Sequence, residues 1–183
     1  MVVVETKDSV ILETLKKVSD RRKLVFTLKC LERISFSSKF NKSDAMLFGD
    51  TLFLMKECLN EKAKKEKLYE FISYIAERCE ALHRASTSDI RLIEDQWELQ
   101  SRSYAADAVY SAAELVYHYL AGEQCPVNMM HVLENIRLSK KWYAHNDSKK
   151  DKEECEWQLN YANNFLATEP NGSNVYSIES KKH

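Results

Sequence analysis

The chain has 183 residues, of which 44% are hydrophobic and 30% charged, with a formal net charge of −1. That length is enough for one domain with its own core. The near-neutral balance excludes a general attraction to nucleic acid or anionic lipid. Three glycines and two prolines are roughly a quarter of average usage, so tight turns are few and an all-α fold is expected. It is expected as a single irregular bundle of about seven helices without a sheet. No apolar run is long enough to cross a bilayer. The opening MVVVETKDSVILETLKK lacks a basic segment ahead of a long apolar stretch, so a soluble cytoplasmic protein is expected.

Helices are predicted over residues 9–19 and 22–34, the second with Leu24, Leu28 and Leu31 on one face. Residues 35–44 (SFSSKFNKSD) read as a polar loop ending in an N-cap. A third helix follows over 45–59. Its apolar residues cover most of the circumference, which predicts the most buried element. Gly49 in its interior costs about 1 kcal/mol against alanine and suggests a close backbone contact.

The fourth helix, 64–83, is the cleanest amphipathic pattern, with Leu68, Phe71, Ile72, Ile75, Cys79 and Leu82 on one side. Next comes either one long helix over 89–121 or two that break near 101–103. Gly122 and Pro126 close it. A sixth helix is predicted over 127–143, a charged outer loop HNDSKKDKEE after it, and a seventh helix over 152–167. Residues 1–167 thus read as one helical domain and 168–183 as a mobile tail.

Segment 104–122, YAADAVYSAAELVYHYLAG, holds six alanines. Ala105, Ala108 and Ala112 share one helical face, with Ala113 beside them, and small side chains let a neighbouring helix come close. Two readings fit: an internal packing seam, or a groove left open for a partner.

Candidate chemistry is sparse. Arg78 and His83 match the Arg-x4-His spacing of HEPN ribonucleases, in which an arginine steadies a phosphate and a histidine moves the proton. A HEPN-like ribonuclease is therefore one alternative. Glu80 and His83 have the Glu-x-x-His spacing of di-iron bundles, but no second such pair occurs. His118 and His131 read as partly buried structural residues, and His145-Asn-Asp as a helix end. The five cysteines (Cys30, Cys58, Cys79, Cys125, Cys155) are odd in number and show no CxxC. They read as reduced core thiols, and no metal or cofactor is expected. Asp89, Glu94, Asp95, Glu98 and Asp107 form an acidic stretch opposed only by Arg91 and Arg102. Such a stretch is a solvated helix face or a set of carboxylates offered to a basic partner.

Three segments carry a family likeness: RRKLVFTLKCLERI (21–34), the alanine run (104–122) and ECEWQLNYANNFL (154–166), together about a quarter of the chain. In this order they resemble the alanine-rich, all-helical immunity proteins found near bacterial polymorphic toxin genes. The resemblance implies a non-enzymatic binder of another protein, a basic toxin domain in that setting, and brings no catalytic residues. A self-associating structural or adaptor bundle, with a homo-oligomer as its form, is the third alternative.

Overall fold

The computed structural model describes residues 7–16, 18–34, 42–87 and 93–168, excluding the side chains of 93–95 and 165–168. The predicted mobile tail lies outside the described residues, apart from Thr168 at the end of the last helix. Seven helices and no strand occur among the described residues: α1 (Lys7–Lys16), α2 (Asp20–Leu31), α3 (Lys42–Leu59), α4 (Lys65–Ser86), α5 (Ile93–Ala121), α6 (Met129–Tyr143) and α7 (Ser148–Thr168). The all-α bundle is as expected.

Local chemistry sets several helix ends. The Ser19 hydroxyl accepts from the Arg22 amide, and the Asn128 side chain accepts from the Met130 amide at 2.9 Å. Gly122 has φ +71°, with its own amide on the Tyr119 carbonyl and the next amide, that of Glu123, on the His118 carbonyl at 2.9 Å. That is a Schellman ending, which needs a left-handed residue at this position.

Three expectations are corrected. The fifth helix is unbroken through 101–103. The charged segment HNDSKKDKEE is a short turn through His145 and Asn146, both at positive φ, followed by the start of α7. Asp147 makes that start by accepting from the Lys149 amide at 2.9 Å. Asp44 is no N-cap: it lies inside the first turn of α3, with its side chain turned inward.

Helix α5 is the axis of the bundle and packs against α2, α3, α4 and α6. Ala105, Ala106, Ala108, Ala112 and Ala113 are at most 1% exposed, so these small residues line internal helix contacts rather than an open groove. Helices α5 and α6 are joined by a reciprocal serine pair. There the Ser101 hydroxyl donates to the Ser139 carbonyl at 2.8 Å, and the Ser139 hydroxyl donates back to the Ser101 carbonyl at 2.9 Å. Antiparallel packing of α4 on α5 shows in Tyr69 beside Tyr117 and in Gln100 donating to the Ser86 carbonyl.

Large side chains from the other helices fill the space around α5, including Phe26, Phe48, Met55, Leu68, Ile75, Leu133 and Ile136, all fully buried. Each contributes about 1.5–3 kcal/mol from removal of apolar surface from water. Helix α7 is held to α2 by a stack: Phe26 on Tyr161 (5.5 Å), Tyr161 on Trp157 (4.9 Å), and the Arg33 guanidinium over the Trp157 ring (3.8 Å).

Candidate functional site

The expected pair of Arg78 and His83 does not form one site. Positions five apart on a helix point about 140° away from each other. Arg78 turns toward α3, where its Nε donates to Asp44 Oδ1 at 2.5 Å and a terminal nitrogen donates to Oδ2 at 2.9 Å. Arg102 from α5 reaches the same carboxylate through Nε at 3.1 Å and a terminal nitrogen at 2.5 Å. The Asp44 side chain is 2% exposed. Burial pushes its carboxyl up, but the hydrogen bonds from Arg78 and Arg102 outweigh this and hold it below the ordinary aspartate value. One carboxylate thus ties α3, α4 and α5 together.

His83 is exposed and lies toward α5. There Asp107 bonds the Cys79 thiol, with His83 and His131 both close enough to act on its charge. Burial raises the Asp107 carboxyl, and the Cys79 bond and the two histidines only partly offset that. Burial also pushes the Cys79 thiol far up, and the Asp107 charge adds to it. A thiol so displaced stays protonated at neutral pH and is a poor nucleophile.

His118 is half buried between Glu114 at 3.4 Å and Glu123 at 3.2 Å. His131, expected to be partly buried, is exposed and bonded to Asn135 at 3.1 Å. No cluster of His, Cys, Asp or Glu among the described residues has metal-binding geometry.

Of the expected acidic stretch, only the Glu98 and Asp107 side chains are among the described residues, and these two differ in exposure. Asp89 lies outside the described residues, as do the side chains of Glu94 and Asp95. Glu98 is exposed and 3.7 Å from Arg102, while Asp107 is half buried against α4.

Two further charged networks are structural, and periodicity gave no hint of them. Glu154, expected in an outer loop, is 2% exposed, accepts from Arg33 Nε at 3.1 Å and from Lys140 at 2.5 Å, and lies 3.1 Å from a terminal nitrogen of Arg33. Arg137 is buried against Asp8 at 2.7 Å and Gln158 at 3.4 Å. A cleft of about 620 Å³ lies over Ser101, Ser139 and Glu154, with Arg33, Lys140 and Lys150 in its walls. These three cations already pair with Glu154 or Glu153.

The outward surface differs. Helix α3, expected to be the most buried element, holds Met46 at 57% and Phe53 at 64% exposure. On α4, Tyr74 is 61% exposed, and Phe71 meets it edge-on at 6.5 Å. The signal was present in the sequence: a helix apolar on nearly all sides has more apolar surface than one core contact covers.

No family model, curated protein or solved structure matches the chain.

Proposed function

We propose that this protein is a non-enzymatic binder that neutralises another protein, in the manner of a toxin antidote. The observation that carries the proposal is the outward exposure of Met46 and Phe53 on α3 and of Tyr74 on α4, helices whose buried charges are paired internally. Exposed apolar patches on rigid elements mark interaction surfaces, and aromatic anchors supply most of the energy at such interfaces. The likeness to immunity proteins in segments 21–34, 104–122 and 154–166 supports the antidote role. Commitment of Arg78 to Asp44 favours binding over RNA cleavage, because a phosphate at this arginine would displace a buried carboxylate.

The test is co-expression with toxic effector domains encoded beside the gene, read as growth rescue and as co-purification of a complex. Rescue with a stoichiometric complex supports the proposal, and failure to rescue against every neighbouring effector overturns it. RNA incubated with the purified protein should keep an unchanged ladder.

A further inference from the structure

We infer that the cleft over Glu154 is a binding site for a small aromatic carboxylate, with Arg33 and Lys140 receiving the acidic head and Tyr143 and His145 giving its ring a surface. No residue of α3 or α4 lines this cleft, so the site stands apart from the exposed side chains on which the antidote role rests.

Size and position come first. At about 620 Å³ the cleft falls within the range of roughly 300–1,000 Å³ usual for small-molecule sites. It is built where the end of α2, the last turns of α6, the turn after α6 and the first turns of α7 meet over Ser101 of α5.

Charge decides what kind of molecule fits. Arg33 and Lys140 share one carboxylate, that of Glu154, at 3.1 and 2.5 Å, so the floor keeps one positive charge over. The other lining charges, Lys150 and Glu153, cancel as a solvent-exposed pair at 2.7 Å. At the other buried clusters no cation is left over: Glu98 stands 3.7 Å from Arg102, and Arg137 has both Asp8 and Asp151.

Donors remain for a ligand. Lys140 spends one of its three protons on Glu154, and Arg33 Nη1 has no partner among the described residues. Ser101 and Ser139 offer no further hydroxyl, since each donates to the other's carbonyl. An incoming anion therefore meets an ammonium and a guanidinium with one charge to neutralise, which selects a monoanion over a polyphosphate.

The walls select the body of the ligand. Tyr143 is 37% exposed, and Ile34 and Ala144 add apolar surface. The turn is a second, independent observation. His145 and Asn146 stand in succession at φ 59° and 63°, a left-handed pair that is strained without glycine. The His145 ring lies 4.5 Å from the Trp97 ring of α5, in the wall of the cleft. Strained backbone at the edge of a cavity is a mark of ligand sites, and here it supplies a ring on which an aromatic body can pack.

The test is an amide NMR titration of the full chain with indole-3-acetate, with its neutral amide indole-3-acetamide, and with acetate. Indole-3-acetate should bind with a Kd of about 1 mM or tighter. Its shifts should fall on residues 33–34, 139–145 and 150–154. The neutral amide and acetate should each bind about ten-fold more weakly. Lys140→Met should weaken indole-3-acetate about ten-fold, with Arg33 still on Glu154. Tyr143→Ala should weaken it about five-fold and leaves every ion pair of the floor in place.

The inference is overturned by no binding of indole-3-acetate, by equal binding of the amide or of acetate, or by shifts outside the cleft. Full affinity in Tyr143→Ala also overturns it, and that variant decides the matter if Lys140→Met loses its helicity.

Discussion

Arg78 grips Asp44 with two nitrogens, at 2.5 and 2.9 Å, across a gap of 34 positions in the chain. With Arg102 on the same carboxylate, three helices meet at one buried anion. Removing the anion leaves two guanidinium groups facing each other. Asp44→Ala should therefore destabilise the protein by about 3 kcal/mol, the lower end for a broken buried pair, because Arg78 keeps some contact with water. Urea unfolding checks this. Arg78→Ala should cost less, since Arg102 still neutralises the carboxylate.

Two aspartates should give opposite pH slopes. Asp44 sits below the ordinary value of 3.8 in the folded protein. Its stabilisation is complete above that value and is lost as pH falls through the folded value. Asp107 sits above 3.8. The folded state then holds the proton more tightly than the unfolded one. Stability from this group declines as pH rises from 3.8 through its folded value. Asp107→Asn should remove that decline and stabilise the protein at neutral pH. Asp44→Asn should destabilise it there and flatten the loss in acid. Thermal melts from pH 3 to 7, read against the ordinary aspartate value of 3.8, measure both.

Ala113 is fully buried on α5. Ala113→Leu adds volume where neighbouring helices already touch, so the expected cost is about 1–3 kcal/mol. A lowered midpoint in urea with an unchanged slope is the expected readout. Unaltered stability would show that α5 has free space at this point.

Gly49 should behave in the opposite way. With open space around its Cβ direction and a helical backbone, Gly49→Ala should stabilise by about 0.5–1 kcal/mol. The sequence suggested a close internal contact, which would have made the same change destabilising. Calorimetry distinguishes the two by sign.

The helices were readable because their signals are local. Leu68, Ile72, Ile75 and Leu82 repeat at helical spacing, and they are the buried face of α4. Gly122 ends α5 because a left-handed turn favours glycine. The alanines of α5 pack inward because small side chains let the backbones of α5 and its neighbours come close. The start of α7 was missed because a charged run looks like a loop unless its first-turn acceptor, Asp147, is recognised.

Spacing along one helix could not pair residues from different helices. Arg78 and His83 look matched in one dimension, yet a rotation of about 140° sends one to Asp44 and the other toward Asp107. Glu154 looked like solvent-facing charge until Arg33 and Lys140, from α7's neighbours in space, closed on it. The apolar circumference of α3 was plain in its residues, but α4 and α5 cover only part of it. Composition and periodicity therefore define the helices and their inward faces, since both depend on neighbours within a few turns. Which charges neutralise one another, and which apolar side chains stay in water, depends on the packing of helices distant in sequence.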